Sequence, residues 1–263
     1  MADFDVVIVG SGPAGMTAAI YATRADLSVL VLEKEFVSGG QVVNTYEVDN
    51  YPGYRGISGF DLGMKFREHA EKLDVEFVME AVERVDLEKE EKIIYTDQSE
   101  YHSRTVILAM GASHRKLEVR GEEDFSGMGV SYCATCDGML YKGKTVAVIG
   151  DSDEAEHDAQ FLRDIGCKVL SFSGREKLDI RGGMKADTLV ADGVEYAVDC
   201  VFILKDTLTA ESLVSGIESE RGIIKTDRSC KTNIKGVFAA GDCTGAPYQI
   251  AKAVGDGNIA ALS

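Results

Sequence analysis

The first hydrophobic positions form one tight block, Val6-Val7-Ile8-Val9, with no polar residue inside it. A short unbroken run closed by glycines predicts a strand buried on both faces. It spans residues 5–9 and gives way to Gly10-Ser11-Gly12-Pro13-Ala14-Gly15. Alanine-rich residues 16–25 predict a helix, and a second apolar block predicts a strand over 28–32 with Glu33 at its end. Residues 48–53 read as a loop, and 59–73 as an amphipathic helix with Phe60, Met64, Phe66 and Leu73 among its apolar positions. Strands are predicted over 75–85 and 92–95, divided by the charged turn Glu88-Lys89-Glu90-Glu91, and within 101–110, ending at Gly111.

The opening pattern then repeats. Lys144-Thr145-Val146-Ala147-Val148-Ile149-Gly150 predicts a strand and a turn, 154–165 a helix ended by Gly166, and 168–172 the next strand. Further strands are predicted around 188–190 and 200–204. Residues 236–242 read as a strand finishing in a Gly-Asp turn, and 249–261 as a helix beginning near it. Two strand–helix–strand units predict an α/β chain with two Rossmann-like dinucleotide-binding domains, in three ββα layers.

The first turn carries specific chemistry. Its glycines let backbone approach a pyrophosphate at a helix N-terminus, and Glu33, 23 positions after Gly10, can accept from ribose hydroxyls. A glycine turn alone is a weak signal; one bracketed by strand and helix with a distant acid is strong.

Composition narrows the picture. The chain has 263 residues and is 45% hydrophobic, enough to build one large or two modest cores. No run of about 18 apolar residues exists, so no transmembrane helix is predicted. The start, Met1-Ala2-Asp3-Phe4-Asp5, lacks the basic region of a signal peptide. Six cysteines are too few for a disulfide scaffold, and a cytosolic, thiol-reducing location is expected. A formal net charge of −16 repels nucleic acid and anionic membranes.

Against that background Cys133-Ala134-Thr135-Cys136-Asp137 stands out. Two cysteines at this spacing read as a metal half-site, a structural disulfide or a redox pair. Zinc needs two further ligands at suitable spacing. Cys167, Cys200, Cys230 and Cys243 are isolated and read as small buried apolar residues, so no metal is expected.

Three stretches together resemble the low-molecular-weight thioredoxin reductases: Gly10-Ser11-Gly12-Pro13-Ala14-Gly15, Cys133-Ala134-Thr135-Cys136-Asp137-Gly138 and Val237-Phe238-Ala239-Ala240-Gly241-Asp242-Cys243. The resemblance runs almost end to end. It implies a flavin domain, residues 1–115 and 220–263, interrupted by a smaller NADPH-like domain, 116–219, that carries the dithiol. It also implies FAD. The pyrophosphate would lie on Gly10, Gly12 and Gly15, in the turn that also holds Ser11, Pro13 and Ala14. The adenosine ribose would meet Glu33, followed by Lys34. Gly40 and Gln41 match a loop over the phosphates, Asn50 a residue beside the flavin ring, and Val82 an adenine contact. Ala109-Met110-Gly111 matches an Ala-Thr-Gly crossing, with methionine for threonine. Gly241-Asp242 matches the turn whose acid binds the ribityl chain, and Gln249, Ile250 and Ala251 the isoalloxazine edge. The resemblance gives Cys136 the flavin side, Cys133 the attack on the target disulfide, and Asp137 the proton shuttle. It further implies a homodimer, and domain rotation about hinges near 112–117 and 218–222.

The second glycine turn departs from that family. Where G-x-G-x-x-A would hold NADPH, the chain reads Gly150-Asp151-Ser152-Asp153-Glu154-Ala155. Like charges 4 Å apart cost about 1 kcal/mol in water and more at lower dielectric. At the positions where that family holds cations for a 2′-phosphate the chain reads Ser173, Gly174, Arg175 and Asp179, so one cation survives. Residues 116–219 hold 20 acids against 11 lysines and arginines. The resemblance is therefore to the pyridine-nucleotide-independent branch, with reduced ferredoxin as donor and thioredoxin as acceptor. An acidic ferredoxin would need a basic patch, for which Arg104, His114, Arg115 and Lys116 are candidates. Alternatives are a diflavin oxidoreductase with a second flavin in the NADPH position, an atypical NADPH enzyme, and a flavin-binding sensor without turnover.

Overall fold

The computed structural model describes residues 3–87, 90–114, 117–204, 207–208, 213–220 and 222–263; at 113–114, 207–208 and Glu154 it describes backbone alone. The chain divides into two compact units, Met1–Ala112 with Thr209–Ser263, and Ser113–Leu208.

In the first unit the chain runs β1 (Phe4–Val9), α1 (Pro13–Arg24), β2 (Val29–Glu33), α2 (Gly59–Glu71), β3 (Glu76–Met79), β4 (Val82–Asp86), β5 (Lys92–Thr96) and β6 (Glu100–Leu108). The second unit follows with β7 (Ser113–His114), β8 (Val130–Ser131), α3 (Ala134–Asp137), β9 (Thr145–Ile149), α4 (Asp153–Asp164), β10 (Lys168–Phe172), β11 (Leu178–Gly182), β12 (Ala186–Ala191), β13 (Val194–Ala197), β14 (Cys200–Ile203) and β15 (Thr207–Leu208). The chain returns to the first unit in β16 (Ser219–Glu220), β17 (Ile223–Ile224), β18 (Val237–Ala239) and α5 (Ile250–Leu262).

The first unit is built on one sheet, ordered β3-β2-β1-β6-β5-β4, with β18 also paired to β6. Strands β3, β2, β1, β6 and β18 are mutually parallel, and β4-β5-β6 form an antiparallel meander. The unbroken apolar run of β1 is used on both faces, as its composition requires. Val6 and Ile8 pack with Met16, Ala18 and Ala19 of α1, while Val7 and Val9 pack with Val85, Leu87 and Ile94.

The second unit stacks three layers. A parallel sheet, β10-β9-β14-β8, carries α3 and α4 on one face and the antiparallel sheet β11-β12-β13 on the other. Val146, Val148, Cys200 and Phe202 point toward Ala134, Ala159 and Leu162. Their neighbours Ala147, Ile149, Val201 and Ile203 point toward Ile180, Leu189 and Ala191.

Two sequence expectations change. The strand predicted over 75–85 is two strands: β3 lies parallel to β2, and β4 turns back antiparallel to β5. The break at Glu80 and Ala81 is held by polar bonds, Thr96 Oγ1 to Glu80 and the Ala81 N–H to Asp97 Oδ1. Residues 178–182, read only as the surroundings of a lost phosphate site, form β11. Only residues 173–177 link β10 to β11, so no crossover helix follows β10. Of the turn Glu88-Lys89-Glu90-Glu91, the first two residues lie outside the described residues, as do Arg115, Lys116 and Arg221 in the expected hinges.

Candidate functional site

The site residues of the first unit gather at the C-terminal ends of β1, β2, β6 and β18. Gly12 caps α1 with no side-chain hydrogen bond, and Pro13 opens the helix. The first helical donor to find an acceptor is Met16, whose N–H reaches the Gly12 carbonyl at 2.9 Å. The N–H groups of Ala14 and Gly15 therefore have no acceptor within the helix, which favours an anion there.

Glycine is needed at two of these positions. Gly10 has φ +104°, and a Cβ on it would meet the Ala109 carbonyl oxygen at 2.4 Å. A Cβ on Gly15 would lie 1.9 Å from the Gly10 carbonyl oxygen. Both obstacles are backbone and cannot swing aside. Gly15→Ala is expected to cost at least about 2 kcal/mol of stability and to release flavin, measured as a lower urea midpoint and a lower flavin content.

Ser11 is fully buried, and its N–H and hydroxyl both donate to Glu33 Oε2, at 2.9 and 2.8 Å. Glu33 Oε1 accepts the Glu35 N–H at 3.0 Å. The predicted ribose acid thus also braces the glycine turn, and a carboxylate's roughly four acceptor positions leave room for one further donor. Lys34 is exposed beside Glu35 at 3.8 Å. The Gly39 N–H donates to the Ser11 carbonyl, and a Cβ on Gly40 would lie 3.2 Å from Gly12 Cα, so the two glycine loops meet. Gln41 Nε2 donates to the Ala112 carbonyl. Asn50 Nδ2 donates to Gln249 Oε1 at 3.2 Å, bringing together two predicted residues 199 positions apart. Gln249 caps α5, which Ile250 and Ala251 open. Ala109 is buried, Met110 packs on the core beside it, and Val82 begins β4.

Gly241 and Asp242 form a tight 3-10 turn just after β18. Among the described residues, the buried Oδ1 of Asp242 has no hydrogen-bond partner. Burial pushes its carboxyl up to about 6, partly offset by the Lys252 ammonium and reinforced by Asp256. An unsatisfied buried acceptor costs about 1–3 kcal/mol, which a ligand hydroxyl would relieve. The open helix end, the facing glycine loops and this acceptor fit FAD.

Sequence reasoning missed Lys252. Its Nζ donates to the Gly241 carbonyl and Thr244 Oγ1 at 2.7 Å and to the Gly245 carbonyl at 2.9 Å, and lies 3.0 Å from Asp256 Oδ2. It fastens the Asp242 turn to α5. No local pattern marks it, because its partners converge only in the fold.

In the second unit Cys133 and Cys136 are joined in a disulfide across a Cα–Cα distance of 5.3 Å. Cys133 caps α3, and its Sγ accepts the Cys136 N–H at 3.2 Å. Asp137 ends the same turn and accepts from Ser131 Oγ at 2.7 Å. The four other cysteines are buried, and no group of three or more metal-ligating side chains exists among the described residues.

The second glycine turn differs from the first in its cap and in the charges around it. Ser152 caps α4, its hydroxyl accepting the Ala155 N–H at 3.2 Å. Arg175 reaches Asp151 Oδ2 at 3.0 Å. Glu176 takes the N–H groups of Ser173 and Gly174 and the Ser173 hydroxyl, which hold its carboxyl below the usual range together with its own N–H, the largest contributor. Asp179 sits in β11, bonded to Arg181. The cleft there, about 220 Å³, is lined by Asp151, Asp153 and Glu156.

Arg104 is paired with Asp5 at 3.2 Å, His114 is described by its backbone alone, and Arg115 and Lys116 lie outside the described residues. No helix among the described residues is long and apolar enough to cross a membrane.

A family model described as pyridine nucleotide-disulphide oxidoreductase matches residues 4–181 and 171–257. The chain is 37% identical to a thioredoxin reductase of Bacillus subtilis, over 99% of this chain and 93% of that protein. It is similar to the crystal structure of thioredoxin reductase from Streptococcus pyogenes, with TM-score 0.90, 34% identity and coverage of 98% and 96%. It is also similar to a ferredoxin-flavin thioredoxin reductase from Clostridium acetobutylicum, with TM-score 0.61, 38% identity and coverage of 98% and 95%.

Proposed function

The chain belongs to the pyridine nucleotide-disulphide oxidoreductases, among the low-molecular-weight thioredoxin reductases, and we propose that it reduces thioredoxin with electrons from reduced ferredoxin rather than NADPH. It is a flavoprotein disulfide oxidoreductase with FAD as cofactor. When bound, FAD converts single-electron input into two-electron reduction of a disulfide.

The flavin domain is the unit of residues 1–112 and 209–263, with the dithiol domain, 113–208, between them. FAD is held by the open N-terminus of α1 at Gly10, Gly12 and Gly15, by Glu33, and by Asp242 in the turn that Lys252 fastens. Asn50, Gln249 and Ile250 form the edge for the flavin ring, with Cys136 the flavin-side cysteine.

Cys133 is the attacking sulfur. The Cys136 N–H already aimed at its Sγ stabilises a thiolate there once the pair is reduced. The Cys133 thiolate attacks one sulfur of the target disulfide; that bond breaks, a mixed disulfide forms, and the departing thiolate takes a proton from Asp137. Asp137 then accepts the Cys136 proton. The Cys136 thiolate displaces the second substrate sulfur, which takes that proton. The dithiol loses two electrons and the target gains two.

One observation carries the choice of donor: the N-terminus of α4 is capped by Ser152, whereas that of α1 is open. Beside that turn the Arg175 guanidinium is paired with Asp151, and after β10 the Glu176 carboxylate takes the Gly174 N–H. A nicotinamide dinucleotide, or a second flavin at the same place, would have to displace all three. The likeness to the clostridial ferredoxin-flavin enzyme supports the same reading. Homodimeric assembly and a cytosolic location accompany it.

Parallel anaerobic titrations test this. Reduced ferredoxin is expected to bleach the flavin and yield two thiols per chain that reduce thioredoxin. Millimolar NADPH is expected to leave the spectrum unchanged for minutes, and denaturation to release one flavin per chain. Bleaching by micromolar NADPH would reject the donor assignment.

A further inference from the structure

Ser131 belongs to none of the motifs in the sequence. It is buried on β8, whose parallel pairing with β14 sets it opposite Phe202. Its hydroxyl donates to Asp137 Oδ2 at 2.7 Å and accepts the Cys133 N–H at 3.2 Å; the Cys133 carbonyl lies farther off at 3.4 Å. A single buried side chain on β8 thus ties the acid after the second cysteine to the backbone of the first. An apolar residue could fill the same space on β8 but would leave both polar groups without this partner.

We propose that Ser131 is a positioning residue for proton transfer by Asp137 during disulfide exchange. The inference rests on the reading of Asp137 as the proton carrier. The hydroxyl does two things to that carboxyl. It fixes one oxygen, so the group keeps a single orientation on the turn that carries both sulfurs. It also donates to the ionised form, which makes Asp137 a stronger acid toward a departing thiolate. Its other titratable surroundings are Cys133 and Cys136 on the same turn, Tyr141 just beyond it, and Cys200 on β14 with Asp199 and Cys167 near them. Asp158 lies on α4 one turn before Leu162, the side chain that packs over Gly138. None of these replaces a hydroxyl at 2.7 Å from the carboxylate.

The test is a single turnover of the full-length, FAD-loaded protein, reduced anaerobically with dithiothreitol and then freed of it. Two disulfide probes separate proton transfer from everything else. Hydroxyethyl disulfide expels a basic alkyl thiolate that needs a proton. Dithiobis(nitrobenzoate) expels an aromatic thiolate that leaves without one. With the alkyl probe, Ser131→Ala is expected to react about tenfold more slowly at its optimum, and the basic limb of its pH profile to move up by about one unit. With the aromatic probe its rate stays within about twofold of the parent. Ser131→Thr keeps the hydroxyl and is expected to restore both rate and profile. Asp137→Asn is expected to remove the basic limb. If Asp137→Asn keeps the parent profile with the alkyl probe, the role given to Asp137 fails and this inference with it. If Asp137→Asn removes the limb while Ser131→Ala leaves it in place, or slows both probes alike, Ser131 is only a packing residue and this inference alone is overturned.

Discussion

Cys136→Ser is expected to stop thioredoxin reduction, with turnover falling by at least about 10³-fold, while leaving Cys133 able to make the first attack. The reasoning starts from the turn itself. Cys133 caps α3, its sulfur faces the Cys136 N–H, and Thr135 Oγ1 stands 3.5 Å away. Those groups stabilise negative charge on Cys133 and survive the serine substitution, because the N–H is backbone. What the variant lacks is the second thiol that displaces the substrate. Treated with hydroxyethyl disulfide, reduced Cys136→Ser should accumulate a stable adduct on Cys133, seen by peptide mass spectrometry. Cys133→Ser should lose turnover equally but form much less adduct, since Cys133 is the sulfur that the Cys136 N–H faces. An adduct favouring Cys136 in the paired variant would reverse the two roles.

The parts legible in the sequence were those with a local signature. The apolar block of β1, the glycine turn and the alanine-rich α1 are contiguous, and each follows from period, turn chemistry and propensity alone. The same is true of β9, α4 and β10. The strand over 75–85 misled because alternation is blind to direction. Nothing local says that the chain leaves a parallel edge at Met79 and re-enters antiparallel at Val82. Strand β11 was hidden for another reason. A crossover helix is the usual sequel to a strand such as β10, and Leu178-Asp179-Ile180-Arg181-Gly182 is too short to announce a hairpin by itself.

The candidate site divides along the same line. Local pattern locates Gly10, Asp242 and the dithiol because each lies in a short stretch of fixed spacing. It cannot locate Ser131 or Lys252, whose meaning depends on distant partners. Nor can it show that Glu33 braces Ser11, or that Glu176 fills the donors after β10. The acids near Gly150 were visible; that Asp151 also pairs with Arg175 was not.

Asp242→Asn is expected to weaken FAD binding by about 10–100-fold, the range for losing a hydrogen bond to a charged acceptor, and at the same time to stabilise the flavin-free chain at neutral pH. Both effects have one origin. In the ligand-free fold the Asp242 carboxyl is buried with Oδ1 unpartnered, and its pKa is pushed up to about 6 from an ordinary 3.8. The folded chain therefore holds a proton that the unfolded chain releases. The stability this group contributes is complete below about pH 4 and is lost as pH rises through about 6, a change of roughly 2–3 kcal/mol. Asparagine carries no such proton, so flavin-free parent and variant should diverge between pH 4 and pH 7, with the parent losing stability. A bound hydroxyl donor reverses the preference by favouring the ionised oxygen. FAD affinity of the parent should accordingly fall as pH drops below 6, by up to tenfold per unit, while that of the variant stays flat. Urea unfolding of the stripped protein measures the first effect, and quenching of flavin fluorescence across the same pH series measures the second. Equal FAD affinity in parent and variant would remove Asp242 from the binding site. A stability difference that does not change with pH would mean that its carboxyl is not held protonated in the fold.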